Sequence, residues 1–414
     1  MPDPIAIIGG GIGGLSLALA LHQQGLACSV YEAVPELGEV GVGITLLPHA
    51  MRELAALGLQ EELEALGIEN LESVFFNRFG QFIFREPRGR HAGHAQPEIG
   101  IHRGKLHGVL HEAVRRRLGA QHLHLDRRCT GIAQDEDGAT VLLQAAGGPV
   151  VPLRARAVVA CDGINSTVRR QFYPDEALAF AGINTWRGVS VHAPILSGKS
   201  YLRVGSIETG KMVIYPIADN VDGRGNQLIN WVAEIQREGA AMNDWNRTGT
   251  PQDVLRMFGD WRFDWLDVPR LVRSAVQVFE YPMVDRDPVP RWSFGRVTLL
   301  GDAAHPMYPR GSSGSAQAII DARTLAQLLG EAGPGADPRD ALARYQELRL
   351  APTARIVETN RTVPPDFINT RVDALSGGKP FAGSVDDLIS QEELRRISED
   401  YKQVAGFSLD TLKP

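Results

Sequence analysis

The first 32 residues constrain this chain more than any other stretch. Ile5-Ala6-Ile7-Ile8 is a short apolar run of the kind that forms a buried parallel strand. Gly9-Gly10-Gly11-Ile12-Gly13-Gly14 follows, then an apolar helical stretch over 15–24 stopped by Gly25, then a second strand-like run over 27–31 that ends at Glu32. This is a complete βαβ unit, and its Gly9, Gly11 and Gly14 fit a GxGxxG spacing with a physical reason at each position. Gly9 makes the tight turn, Gly11 lets backbone approach a pyrophosphate, and Gly14 lets helix and strand pack closely. The pyrophosphate rests where Ile12 opens the helix, because free N–H groups and the dipole favour negative charge there. Glu32 stands ready to accept hydrogen bonds from ribose hydroxyls. An acid at that position fits FAD or NAD and disfavours a 2′-phosphate.

Two later strand–loop units repeat the theme. Val158-Val159-Ala160 leads into Asp162-Gly163-Ile164-Asn165-Ser166-Thr167-Val168-Arg169, which reads equally as a plain turn or as a turn holding ribose or phosphate through Asp162, Ser166 and Arg169. The run over 297–300 leads into Gly301-Asp302 and, further on, Pro309-Arg310-Gly311-Ser312-Ser313-Gly314-Ser315. Asp302 at a strand end suits a ribityl or ribose hydroxyl, and the amides of 311–315 at a helix start suit an anion or a reduced flavin ring. The chain has 44 glycines, about 15 above ordinary usage of roughly 7%. Most of the surplus lies in these loops, with Gly43, in the loop after the second strand, among them.

Between the glycine loops, residues 180–235 alternate in short runs that predict an antiparallel sheet. Helices are predicted over 50–67, 103–117, 251–274 and near 315–330. After Pro364-Pro365 a polar tail is expected, with one helix near 390–403. The fold class is therefore α/β with an α+β insert: a Rossmann-like FAD-binding domain, an interleaved antiparallel-sheet substrate domain, and a C-terminal helical tail. The FAD-binding domain is assigned to 1–70, 98–178 and 276–355, the substrate domain to 71–97 and 179–275, and the tail to 356–414. A ligand at such a domain junction is a common arrangement.

Composition excludes several classes. With 43% hydrophobic and 22% charged residues the chain is globular rather than disordered. A net charge of −6 argues against nucleic acid as a partner. Cys28, Cys129 and Cys161 are odd in number and widely spaced, so no disulfide framework or zinc knuckle is expected. No apolar run reaches membrane-spanning length, and Met1-Pro2-Asp3-Pro4 lacks the basic start of a signal peptide. A cytoplasmic protein is expected, with no membrane partner, as monomer or homodimer.

In this order, Gly9–Gly14, Asp162-Gly163 and Gly301-Asp302 resemble the three FAD fingerprints of the class A flavoprotein aromatic monooxygenases, the para-hydroxybenzoate and salicylate hydroxylase type. The resemblance covers about residues 3–355. Trp186-Arg187-Gly188, Tyr215-Pro216-Ile217, Asp244-Trp245-Asn246 and the segment Tyr281–Pro288 resemble the phenazine-carboxylate branch of that family. It implies tightly bound, non-covalent FAD, NAD(P)H as a transient co-substrate, and O2. It also implies hydroxylation of a small aromatic or N-heteroaromatic substrate through a flavin C4a-hydroperoxide, with or without decarboxylation. By the same resemblance Arg103 lies beside the flavin and Cys129 touches adenine through its backbone. Asp162 and Gly163 meet both cofactors, Asp302 holds the ribityl chain, and Pro309 lines the flavin ring. Gly314 and Ser315 offer amides, while Ser312 departs from the glycine common at its position.

Other features carry less. Tyr215 is a candidate hydrogen-bond donor to a phenol. Lys211 is either a partner for a substrate carboxylate or a solvated strand residue. His107 and His111 stand four apart on a predicted helix without a third ligand, so no metal site is expected. His305 follows a buried strand and suits a structural hydrogen bond better than a catalytic base. Two alternatives remain: a reductase or halogenase of the same fold, and a non-enzymatic FAD-binding protein. Trp261-Arg-Phe-Asp-Trp265 is not the WxWxIP segment a halogenase would carry.

Overall fold

The computed structural model describes residues 3–36, 38, 41–236 and 248–410. The Asp244-Trp245-Asn246 segment, Met1 and Pro2 lie outside them. The first βαβ unit forms as its sequence dictates. Ile5–Ile8 pairs in parallel with Cys28–Tyr31 on one side and Ala157–Ala160 on the other. The helix between, Ile12–Gln23, is buried along nearly its whole first half. It ends at Gly25, whose φ of +70° lets the Leu26 N–H return to the Leu21 carbonyl at 3.0 Å, a Schellman closure. The parallel core extends through Val297–Leu299, and the completed sheet has six strands.

The middle of the chain forms a seven-stranded, mainly antiparallel sheet. Its long central strands are Ala179–His192, Gln227–Gln236 and Gly210–Ala218, and Glu72–Phe76 and Phe82–Pro87 extend it at one edge. At the other edge Ala275–Asp285 pairs with Ala179–His192, so the sheet continues across the boundary drawn at 276. One face packs Trp186, Met212, Ile214 and Trp231 under the helices Pro251–Phe258 and Val268–Arg273. Alternate residues of a strand point to opposite sides, and the opposite face packs Tyr201, Val213 and Tyr215 with Val42.

Three predicted helical stretches are divided or extended. The stretch 50–67 breaks into Pro48–Ala56 and Gln60–Leu66 at Gly58, with φ +69°. The stretch 251–274 is two short helices separated by a two-stranded ribbon. A Thr250/Asp253 capping box starts the first and Pro269 opens the second, where its fixed φ and missing N–H are tolerated. The tail is not one polar helix. Arg339–Thr362 runs across the boundary drawn at 355, then Phe367–Ser376 and Gln391–Ala405 follow. Ile368, Val372 and Leu394 of the tail pack with Phe75, Ile83 and Phe84 of the seven-stranded sheet. Among the described residues no helix is long and apolar enough to cross a membrane.

Candidate functional site

The N-terminal glycine loop has the geometry its spacing demands. Gly9 has φ +101°, and a Cβ there would run into the Cys161 carbonyl. A Cβ at Gly14 would run into the Gly9 carbonyl, whereas one at Gly11 would meet nothing within 4 Å. Space is therefore open only at the position assigned to phosphate. Gly11 caps the helix with no side-chain hydrogen bond, which leaves the first amides, Ile12 included, available to an anion. Glu32 accepts from the Gly10 N–H at 2.6 Å and the Val34 N–H at 3.0 Å, so its carboxylate is held beside the loop. His107 bonds the Gly10 carbonyl through Nε2 at 2.7 Å. It braces the loop, and no group of three potential metal ligands occurs among the described residues.

Asp162 lies against the same loop. Its Oδ2 accepts from the Thr167 N–H at 2.8 Å, while its buried Oδ1 has no partner. Burial pushes its carboxyl up, a cost that a bound hydroxyl donor would relieve. Gly163 takes φ +76°. Ser166 caps the following short helix by accepting from the Arg169 N–H at 2.9 Å. The buried Arg169 donates to the Ala303 and Ala304 carbonyls at 3.0 and 2.6 Å and pairs with Glu176. Arg169 thus ties the second motif to the third instead of facing a ligand. Cys129 is buried near Asp162, and burial pushes its thiol up to about 11, so it offers backbone rather than thiolate chemistry.

The third motif begins at Gly301, with φ +61°. Asp302 is open to solvent yet crowded by protein, and desolvation pushes its carboxyl up while His305 and Arg103 pull it down. Gly314 sits so close that a Cβ on it would lie 3.8 Å from the Asp302 carboxylate. Arg103 opens the helix Arg103–Arg117, its N–H donating to the Val42 carbonyl at 2.9 Å. Pro309 is exposed at the start of the turn Pro309–Gly311. Ser312 does adopt the left-handed conformation, φ +55° and ψ +24°, at a cost of about 1–2 kcal/mol relative to glycine. The helix Gly314–Ala332 then starts with no side-chain cap, so the amides around Gly314 and Ser315 resemble those at Gly11. His305 is paired at Nε2 with buried Asp321, 2.5 Å away, a structural role.

The seven-stranded sheet supplies the facing wall. The Gly43 N–H donates to Asn230 Oδ1 at 2.7 Å, and a Cβ at Gly43 would overlap the Asn230 side chain. Gly43 is thus the point where the first domain approaches the sheet. Tyr215 is buried and stacks on Tyr201, ring centroids 4.8 Å apart and 13° from parallel. Burial holds its hydroxyl far above the ordinary phenol range, so it donates hydrogen bonds and does not serve as a phenolate. Tyr201 reaches Ser312 Oγ at 3.4 Å, which brings the wall to the glycine loop.

Lys211 corrects both sequence expectations. It is neither solvated nor open to a substrate: only 2% exposed, it pairs with Glu234 at 2.5 Å and Asp366 at 3.0 Å. Asp366 also takes Arg310 at 2.8 Å. The cluster joins sheet, glycine loop and tail. A second tail contact, Tyr401, bonds Ser313 Oγ at 3.0 Å and Asn360 Oδ1 at 2.9 Å, and its ring leaves no room for a Cβ at Gly311. No local pattern marks Asp366 or Tyr401 in the sequence, since their partners are 40 or more positions away.

Two uncapped helix starts, an open Gly11 and an unsatisfied Asp162 oxygen fit the binding of a dinucleotide, and the family match makes that dinucleotide FAD. The FAD-binding-domain family matches residues 3–360. The chain is 42% identical to a phenazine 1,6-dicarboxylic acid hydroxylase of Lysobacter antibioticus, over 86% of this chain and 89% of that one. It is 34% identical to 3-amino-4-hydroxybenzoate 2-monooxygenase of Streptomyces cremeus, over 88% and 87%. Its fold matches a Klebsiella pneumoniae HpxO structure complexed with FAD and uric acid, at TM-score 0.78 and 23% identity over 97% and 96% of the two chains. The chain belongs to the FAD-binding-domain family and is a flavin-dependent aromatic monooxygenase.

Proposed function

We propose that this enzyme consumes NAD(P)H and O2 to hydroxylate a planar aromatic or N-heteroaromatic ring of about phenazine size. The observation that carries this reading is the 42% identity, across nearly the full length of both chains, to a hydroxylase acting on a phenazine dicarboxylic acid. The chemistry supplied by FAD is reduction of O2 with electrons from NAD(P)H, placing one oxygen atom in the ring and the other in water.

The chain's own residues hold and shield. The amides of Ile12 and its neighbours bind the pyrophosphate, Glu32 the adenosine ribose, and Asp302 the ribityl chain. Arg103 stands by the flavin, Asp162 and Gly163 contribute to the cofactor cleft, and the Cys129 backbone borders the adenine. Pro309 and the amides near Gly314 and Ser315 border the flavin ring. Tyr215, backed by the stacked Tyr201 ring, borders the substrate and helps exclude water, while its hydroxyl, kept protonated by burial, donates to a ring heteroatom or hydroxyl. Water exclusion protects the reactive oxygen species from wasteful breakdown.

The test is a panel of benzoates, pyridines and phenazines offered to the FAD-loaded enzyme with NADH or NADPH. A substrate should accelerate NAD(P)H oxidation and give a product carrying one more oxygen atom, with or without loss of CO2. If no aromatic compound accelerates flavin reduction and no oxygenated product forms, the reading fails.

A further inference from the structure

The helix Arg103–Arg117 carries a histidine that no metal site employs. His107 stands four residues before His111, and no third ligand joins them among the described residues. Its helix is a rigid support. Leu106, Val109, Leu110 and Ala113 are buried along it. Its start is pinned where the Arg103 N–H meets the Val42 carbonyl at 2.9 Å and the Gly104 N–H donates to His102 Nδ1 at 3.2 Å. From that support the half-buried His107 reaches the N-terminal glycine loop, with Nε2 at 2.7 Å from the Gly10 carbonyl oxygen. A carbonyl oxygen only accepts, so Nε2 carries the proton.

Gly10 is thereby held at both of its polar groups. Glu32 takes its N–H at 2.6 Å and His107 takes its C=O. The successive glycines 9 to 11 have no side chains to resist rotation of the peptides between them, and such a rotation would swing an N–H away from a ligand. Among the described residues every peptide bond is trans. In a trans peptide the C=O of one residue and the N–H of the next point in opposite directions. Fixing the Gly10 carbonyl on His107 therefore sends the Gly11 N–H to the other side, away from the helix Arg103–Arg117. That N–H meets no acceptor among the described residues. It lies at the one position of the three where an added Cβ would meet nothing, since at Gly9 and Gly14 it would strike backbone. The free donor thus stands on the open ground of the loop, beside the uncapped helix start at Ile12.

We propose that His107 is a positioning residue for the cofactor: by holding the Gly10 carbonyl it aims the Gly11 N–H at the FAD pyrophosphate. It acts through the Gly10–Gly11 peptide and not by contact with the phosphates. The inference rests on FAD binding alone and is independent of which ring the enzyme hydroxylates.

The test compares FAD-loaded wild type with His107→Leu, His107→Asn and His107→Gln. The first removes the donor, the second holds an amide donor short of the imidazole Nε2 position, and the third places one there. Three quantities are read: FAD release on dilution from the rise in flavin fluorescence, the phosphorus NMR resonances of the bound pyrophosphate, and the urea midpoint of the loaded enzyme. His107→Leu and His107→Asn should release FAD about tenfold faster, the size of one hydrogen bond lost, and should shift the phosphorus resonances. His107→Gln should stay within about threefold of wild type in release, with its resonances near the wild-type positions. Release at the wild-type rate from both His107→Leu and His107→Asn overturns the proposal. So does faster release with unmoved phosphorus resonances and a lower urea midpoint, the signature of a merely structural brace. Failure of His107→Gln to restore what His107→Leu loses overturns it as well. Should His107→Leu not fold, the contrast between His107→Asn and His107→Gln decides.

Discussion

At the scale of single residues, charge burial separates the cations of this cleft. Lys211 and Arg187 lie on the same sheet face, yet one is enclosed by two carboxylates and, among the described residues, the Nε of the other meets no acceptor. The first is structural, because removing one member of a buried pair strands the others. Lys211→Met should lower the unfolding free energy of the FAD-loaded enzyme by about 3–5 kcal/mol, read by urea denaturation. The KM of the folded fraction should not change. A large KM change with unaltered stability would return Lys211 to the substrate site. Ser312 shows the same discrimination for backbone. Its left-handed φ is the conformation in which glycine has no Cβ penalty, and it is held in place by the turn Pro309–Gly311 before it and the Gly314 helix after it.

At the scale of elements, the tail helices reach the candidate site. Gln391–Ala405 delivers Tyr401 to Gly311 and Ser313 in the third motif, and Asn360 carries the link on to the Tyr308 carbonyl at 3.2 Å. Tyr401→Phe leaves Asn360 Oδ1 and Ser313 Oγ without their common partner inside the protein. The expected cost is about 1–3 kcal/mol, with faster FAD release on dilution followed by the rise in flavin fluorescence. Unchanged stability together with unchanged FAD release would show that the tail merely covers the loop. A helix near 390–403 was legible in the sequence, and it forms as Gln391–Ala405. Its importance was not, because a tyrosine on an amphipathic helix looks the same whether it fills a gap or grips a loop.

At the scale of the whole molecule, Asp321 joins three parts of the structure. It accepts from His305 and from the Gly301 N–H at 3.2 Å on one oxygen, and from Arg349 at 2.7 Å on the other. The turn leading to Asp302 is thereby fastened to the helices Gly314–Ala332 and Arg339–Thr362. His305 and Arg349 hold the Asp321 carboxyl down at about 2 despite its burial. A depressed carboxylate stabilises the fold above its unfolded value of about 3.8 and loses that contribution as pH falls through 2. The contribution is about 2 kcal/mol at roughly 1.4 kcal/mol per pKa unit. Asp321→Asn should therefore flatten the dependence of unfolding free energy on pH between about 4 and 2, measured by denaturant titration across that range. An acid limb as steep as that of wild type would remove Asp321 from this role.

The sequence by itself determined the backbone geometry of the glycine loops. Gly9, Gly14 and Gly301 are each required by a steric or dihedral condition local to one turn, and local conditions are written in consecutive residues. The FAD-binding loops and the alternation of the inserted sheet were legible for that reason. The breaks at Gly58 and before Pro269 were marked by the residues that cause them but were overridden by the apolar spacing around them. Only the tertiary structure decided which charges are paired. Lys211 and Arg187 both lie on strands of the inserted sheet, and Lys211 is enclosed by Glu234 on the neighbouring strand and by Asp366, 155 positions beyond it. Partnership between buried charges depends on proximity in space, and no spacing along the chain records it.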